Sequence, residues 1–235
     1  MFKLIKTYLD YFIELILPDL CLNCNARLDK KFLCSKCENS LEFLSKDICE
    51  FCGKPLEKDK YCQCRNGNFL FDKARSVFVF NDILRNIIHS MKYEETTSIG
   101  TYLGNLAAVY LKKFSPFEKI DIISPVPLHR VKKRIRGYNQ SEYISRKIAK
   151  EMNWKHLPTL IKRIRFTDTQ TRLSAKAREK NVSNAFGLNS GHNINGKNIL
   201  LIDDVFTTGS TANSITRYLK ENGVNKVYVL TVARA

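Results

Sequence analysis

One segment limits what this chain can fold into: Ile199-Leu200-Leu201-Ile202-Asp203-Asp204-Val205-Phe206-Thr207-Thr208-Gly209-Ser210-Thr211. Four consecutive apolar residues suit a parallel strand covered on both faces. The hydroxyl-rich turn after them opens a helix that runs through Ile215 and Leu219. Backbone N–H groups of that turn, with the hydroxyls of Thr207, Thr208, Ser210 and Thr211, would converge on a phosphate at the helix N-terminus. Carboxylates repel a phosphate, so Asp203 and Asp204 find their partners in sugar hydroxyls or a bridging metal ion. This division of labour describes a site for a phosphorylated ribose and matches phosphoribosyl pyrophosphate. The alternative without a ligand is a strand followed by acids that serve only as helix N-cap chemistry.

The string resembles the phosphoribosyl-pyrophosphate loop of type I phosphoribosyltransferases: four hydrophobics, two acids, two spacers, then Thr-Thr-Gly-Ser-Thr. In that family the adjacent acids hold the ribose 2′- and 3′-hydroxyls and the segment after them cradles the 5′-phosphate. The resemblance implies the first role for Asp203 and Asp204, and the second for Thr207, Thr208, Gly209, Ser210 and Thr211.

All eight cysteines fall in four close pairs: Cys21 and Cys24, Cys34 and Cys37, Cys49 and Cys52, Cys62 and Cys64. Paired thiolates at this spacing share a tetrahedral ion, so eight ligands imply two zinc sites of four cysteines each. Equal nine-residue linkers inside each half suit two consecutive ribbons, Cys21, Cys24, Cys34, Cys37 and then Cys49, Cys52, Cys62, Cys64. A cross-braced arrangement uses the same residues. Disulfides compete with zinc, but the chain shows no secretory signal and the remainder has a cytosolic character. Four-cysteine sets also hold iron–sulfur clusters.

A formal charge of +16 points to a polyanionic partner or an anionic surface. Eight thiolates around two Zn²⁺ leave about +12, so the excess survives. Residues 1–18 read as an amphipathic helix ended by Pro18, too short and too charged to span a bilayer. Docking on the chain's own second domain and lying on a membrane surface or a partner are its two uses.

After Cys64, Arg65-Asn66-Gly67-Asn68 is a turn-rich joint, which divides the chain into the helix at 1–18, a double zinc ribbon at 19–66 and a larger domain at 67–235. Strands are expected at Ala74–Phe80, Ile120–Val126, Ile199–Asp203 and Val227–Ala233. Helices are expected at Ile83–Met91, Ile99–Phe114, Tyr138–Met152 and Ser210–Asn222. This alternation predicts an α/β fold with a mainly parallel sheet and helices on both faces. Ligands of such sheets bind beyond the carboxyl ends of the strands, where Asp203 and Asp204 fall.

A second constellation follows the strand at Ile120. Arg130, Lys132, Lys133, Arg134 and Arg136 lie within seven residues just past a proline-stiffened turn, and Gly137 permits an unusual backbone. Such a run neutralises a pyrophosphate or a nucleic-acid backbone. The segment 162–186, with Arg163, Arg165, Gln170, Arg172, Arg178 and Asn181, reads as a mobile basic flap.

Together these segments resemble the ComF family of natural-competence proteins. The resemblance rests on the double cysteine module from Leu17-Pro18-Asp19-Leu20-Cys21 and on Ile88-His89-Ser90-Met91-Lys92-Tyr93. It continues through Pro125-Val126-Pro127-Leu128-His129, Arg136-Gly137-Tyr138-Asn139-Gln140 and the loop at Asp203–Thr211. It implies a type I phosphoribosyltransferase fold and a cytosolic protein peripheral to the inner membrane. Such a protein receives single-stranded DNA during transformation, beside a helicase and other DNA-uptake proteins. Arg130, Lys132, Lys133, Arg134, Arg136, Arg163, Arg165 and Arg178 would then track phosphates, and Tyr138, Phe166 and Phe206 would offer stacking faces.

The rival reading is a working phosphoribosyltransferase, with Mg²⁺ and basic groups stabilising the departing pyrophosphate. Its acceptor site cannot be identified: many purine-specific members carry an acid where this chain has Thr207. A zinc-dependent DNA-binding regulator is disfavoured, because the cysteine module lacks a recognition helix dense in Arg and Lys.

Overall fold

The computed structural model describes residues 19–28, 32–56, 61, 62, 64, 69–93, 97–164, 186–189 and 191–235. In chain order the elements are α1 (Ser35–Asn39), β1 (Lys73–Val79), α2 (Asp82–Tyr93), α3 (Thr97–Phe114), β2 (Ile122–Pro125), α4 (Arg130–Arg136), α5 (Gln140–Met152), β3 (Lys155–His156), β4 (Ile161–Arg163), β5 (Phe186–Leu188), β6 (Asn198–Phe206), α6 (Ser210–Glu221) and β7 (Lys226–Arg234).

Five strands form one sheet in the order β1-β7-β6-β2-β3, and every pairing in it is parallel. Successive side chains of β6 and β7 enter opposite layers. Leu200, Ile202, Tyr228, Leu230 and Val232 pack with Ile87 of α2, Leu103 of α3 and Ile144 of α5. Ile199, Leu201, Val227 and Val229 pack with Ile215 and Leu219 of α6. Both faces are therefore dry, which is why the central strands read as continuous hydrophobic runs rather than alternating ones.

Three features depart from the expected pattern. Strand β6 continues to Phe206, because Val205 and Phe206 still pair with Ala233 and Arg234 of β7. The two acids thus belong to the strand itself. The basic run after β2 is a helix, α4, started by His129 at its N-cap and stopped by Gly137 in the left-handed region at φ 73°. The ends of the expected flap form a small antiparallel ribbon, with Ile161 opposite Leu188 and Arg163 opposite Phe186. Its interior, including Arg165, Phe166 and Arg178, lies outside the described residues, as does the expected N-terminal helix.

Strand β1 is a sheet edge, and the cysteine-rich module covers it. Leu44 N–H donates to the Val77 carbonyl at 2.8 Å, and Ala74 N–H donates to the Phe51 carbonyl at 2.8 Å. Phe43 stacks on Phe78 with ring centroids 5.3 Å apart. The approach is close enough that a Cβ on Gly53 would stand 2.7 Å from the Ala74 carbonyl oxygen. The module thereby satisfies backbone groups that an open edge would present to other chains.

Helix α5 is pressed onto α3 in the same way. A Cβ on Gly104 would lie 2.7 Å from the Ile144 carbonyl oxygen, and one on Gly100 2.8 Å from the Tyr143 Cβ. That crossing sets where the N-terminus of α5 meets the end of β6. Gly104→Val is expected to cost about 1–3 kcal/mol through overpacking, read as a lowered midpoint in thermal denaturation.

Candidate functional site

Adjacent residues on a strand face opposite ways, and this separates the two acids. Asp203 lines a pocket of about 370 Å³, part of it open to solvent, with Thr207, Gly209, Ser210, Thr211 and Thr231. Asp204 faces α2 and α5 and is buried. Its Oδ2 accepts from Lys92 Nζ at 2.7 Å and from Gln140 Nε2 at 3.2 Å, and its Oδ1 from the Val205 N–H at 2.8 Å. Asp203 Oδ1 accepts from Ser141 Oγ at 3.0 Å and from the Asp204 N–H at 2.9 Å.

Burial, and then the neighbouring Asp204 carboxylate, raise the Asp203 pKa well above the ordinary carboxylate range. Arg163 of β4 lies close enough to feel the Asp203 charge, which partly opposes the lowering of its own pKa by burial.

The turn after β6 packs so closely on two aromatic rings that it has no room for a side chain at Gly209. Gly209 has φ 72° and caps α6 without a side-chain bond to the helix. A Cβ there would stand 2.7 Å from Phe206 Cζ and 2.9 Å from Phe69 Cε1. Thr208 Oγ1 donates to Ser210 Oγ at 3.0 Å, and Thr207, Thr208 and Ser210 are exposed. The first turn of a twelve-residue helix therefore presents backbone donors and hydroxyls to the pocket, the arrangement that attracts an anion.

Phe206 does not offer a stacking face. It is 3 % exposed, with the Arg234 guanidinium 4.5 Å above the ring centroid and Phe69 and Phe71 at its edges. Its ring supports the turn from beneath, since a strand that runs to residue 206 carries that side chain into the core. Tyr138 is half-buried, donates its hydroxyl to the Met91 carbonyl and meets Tyr143 edge-on.

Of the basic residues, Arg130, Lys132, Lys133 and Arg134 are exposed along α4. Arg136 is half-buried, donates to Gln140 Oε1 at 3.2 Å and lies over the Tyr93 ring at 5.6 Å. Arg163 is half-buried over Phe186 at 5.8 Å. Three contacts of the acid pair, Lys92, Gln140 and Ser141, have no role assigned from sequence. Lys92 and Gln140 sit in segments that carry the family resemblance, and that is the available signal.

The eight cysteines gather into two sets in sequential order, Cys21, Cys24, Cys34, Cys37 and Cys49, Cys52, Cys62, Cys64. Within each set the sulfurs lie within 4.8 Å of one another, and none is in a disulfide. Sulfur separations of 3.6 Å for Cys24 and Cys34 and 3.5 Å for Cys52 and Cys62 are close to the edge of a tetrahedron around zinc, about 3.8 Å for Zn–S bonds of about 2.3 Å. The donor set fits that ion. The second set touches the sheet: Arg234 Nη1 donates to the Cys52 carbonyl at 2.6 Å, and Arg75 Nη2 donates to the Glu50 carbonyl at 2.9 Å.

Similarity to known proteins agrees with this geometry. The double zinc ribbon domain matches residues 12–65 and the phosphoribosyl transferase domain matches residues 138–235. Competence protein F of Haemophilus influenzae is 31 % identical over 223 residues, covering 92 % of this chain and 96 % of that protein. The chain belongs to the ComF family. Competence protein ComFC of Bacillus subtilis is 25 % identical, over 81 % of this chain and 79 % of that one. The DNA utilization protein YhgH of Escherichia coli K12 is 28 % identical over 94 % of this chain and 99 % of that one. Among solved structures, a hypoxanthine phosphoribosyltransferase from Staphylococcus aureus is 16 % identical over 59 % of this chain and 65 % of that one, with a TM-score of 0.36. Among the described residues of this ComF protein, no helix is long and apolar enough to cross a membrane.

Two outcomes are expected. Metal analysis of the purified ComF protein should find about two Zn²⁺ per chain; one ion or none would refute the two four-cysteine sites. The second concerns Asp203. A carboxyl with a raised pKa keeps in the folded chain a proton that the unfolded chain has released, so stability falls as pH rises from the ordinary carboxylate range through the raised value. Asp203→Asn carries no such penalty. It should unfold about 2–4 °C above the parent at and above neutral pH, corresponding to about 1 kcal/mol, and this gain should shrink as the pH falls below about 4, where both states become protonated. Scanning calorimetry at several pH values reads both.

Proposed function

We propose that this ComF protein handles single-stranded DNA during uptake and carries a phosphoribosyl-pyrophosphate site at the end of β6. The observation that carries the DNA reading is α4. None of its residues is buried, and Arg130, Lys132, Lys133 and Arg134 project from it into solvent. A helix that buries nothing contributes little to the core, so its cluster of exposed cations, which flanks the exposed Val131 and Ile135, is suited to a polyanion. It begins five residues past the end of β2, on the edge of the sheet where β6 delivers the two acids. Relatives named for competence and for DNA utilization support the same reading.

In the phosphosugar reading, the amides and hydroxyls of Thr207, Thr208, Gly209, Ser210 and Thr211 take the 5′-phosphate, and Asp203 accepts from a ribose hydroxyl. Asp204 is held by Lys92 and Gln140, which fixes the strand end beside it. Arg163 and the residues of α4 supply positive charge for the pyrophosphate. Mg²⁺ carried by the pyrophosphate would add further countercharge.

Fluorescence anisotropy with short oligonucleotides tests the DNA arm. Affinity should fall steeply with salt, and reversing charge at Lys132, Lys133 and Arg134 should weaken binding to every sequence alike while reducing the log–log salt slope by about 2. Sequence-specific duplex binding with little salt dependence would defeat the proposal. Calorimetry with phosphoribosyl pyrophosphate tests the other arm: above the raised Asp203 pKa of about 8, where the carboxylate is ionised, Asp203→Asn should lose about 10- to 100-fold in affinity, as expected for a lost charged hydrogen bond.

A further inference from the structure

Phe206 is in the core and Tyr138 is half-buried with its hydroxyl bonded, yet an aromatic surface does stand beside the cationic helix. Tyr93 is the last residue of α2 and keeps 63 % of its surface exposed. The ring of His89, one turn earlier and also exposed, packs on it with centroids 4.6 Å apart and planes at 39°. From the other side of the gap comes Arg136, the last residue of α4, whose guanidinium lies over the Tyr93 ring at 5.6 Å. That guanidinium is held in place, because it also donates to Gln140 Oε1 at 3.2 Å and Gln140 is buried.

Arg136 thus joins the aromatic pair to the cations of α4. Lys132 and Lys133 precede it by four and three positions and are exposed, so they lie on its side of the helix about one turn, roughly 5.4 Å, away. Phosphate binding alone gives no use for exposed rings. A duplex keeps the faces of its bases covered by one another, whereas a single strand can turn a base out onto an aromatic plane, and a guanidinium adds a cation–π contribution.

Resting on the DNA reading above, we infer that His89 and Tyr93, with Arg136 set over the Tyr93 ring, form the platform on which a base of the single strand stacks while α4 holds the adjoining phosphates. Charge on α4 then supplies attraction to any polyanion, and the end of α2 supplies the preference for a strand whose bases are free. Stacking accepts every base, so this preference carries no sequence specificity.

Fluorescence anisotropy on the full-length zinc-loaded protein tests this with three probes of equal length: a mixed-sequence single strand, an abasic single strand and a duplex. Tyr93→Leu removes the ring at an exposed position. It should weaken binding of the base-bearing strand about tenfold (about 1.4 kcal/mol) with an unchanged log–log salt slope, and leave abasic and duplex affinities within about twofold of the parent. Tyr93→Phe keeps the ring and should bind the base-bearing strand within about twofold of the parent. The inference is overturned if Tyr93→Leu binds the base-bearing strand as the parent does, or loses as much on the abasic strand. It is also overturned if the substitution weakens binding only to phosphatidylglycerol vesicles, which would make the platform a membrane contact. Failure of the parent to bind any single strand would overturn the DNA reading itself, and this inference with it.

Discussion

Two carboxylates on consecutive residues at the end of a buried strand repel one another and lose hydration, and much of the architecture exists to hold them there. The strand that carries them is parallel to both neighbours and covered on both faces, so water reaches the pair only through the pocket that Asp203 lines. Compensation comes from specific donors: Ser141 and a backbone amide for Asp203, Lys92 and Gln140 for Asp204. The three side-chain donors come from the ends of α2 and α5, and the placement of α5 follows from its glycine-mediated approach to α3. Packing remote from the site thus fixes its electrostatics. The elevated pKa of Asp203 is what remains uncompensated, the cost of keeping an acid where a hydroxyl can reach it.

The cysteine-rich module belongs to the same mechanical unit. By pairing with β1 it closes the sheet edge, and through Arg234 it reaches the turn after β6. The guanidinium bonds the Cys52 carbonyl at one end and lies over Phe206 at the other, and Phe206 is the surface against which Gly209 turns. A ribbon that lost its fold would release Arg234, uncover one face of Phe206 and remove the support of the turn. This chain of contacts gives a physical reason for joining a double zinc ribbon to a phosphoribosyltransferase fold, beyond any ligand the ribbon itself takes.

Much of this is legible in the sequence because the signals are redundant. The cysteine spacing is a local property, and so is the run from Ile199 to Thr211, whose hydrophobicity, paired acids and hydroxyl-rich turn all point one way. Contacts across elements are not legible. Lys92 stands 112 positions before Asp204, and no periodicity links them. Phe206 departs from the stacking role expected of it for a related reason: more residues pair with β7 than the hydrophobic run implies, and this extension turns the ring inward. The basic run after β2 conceals a helix because its charge masks any apolar period, and the ends of that helix are set by His129 and Gly137.

The two surfaces proposed to bind anions differ in stiffness, and the difference suits their proposed ligands. The turn at Gly209 is braced by Phe206, Phe69 and Arg234, so its donors hold fixed positions, as a single phosphate of fixed geometry requires. Among the described residues, helix α4 is braced at its ends, by the His129 cap and by the contacts of Arg136, and Arg130, Lys132, Lys133 and Arg134 are exposed. A flexible cationic surface loses little when the phosphates it meets are irregularly spaced, since each side chain adjusts on its own. Single-stranded DNA presents that kind of backbone, and its recognition through charge tolerates any sequence. Under the proposed function, rigidity at the loop and exposed charge at the helix are complementary ways for one sheet edge to receive a small phosphosugar and a long polyanion.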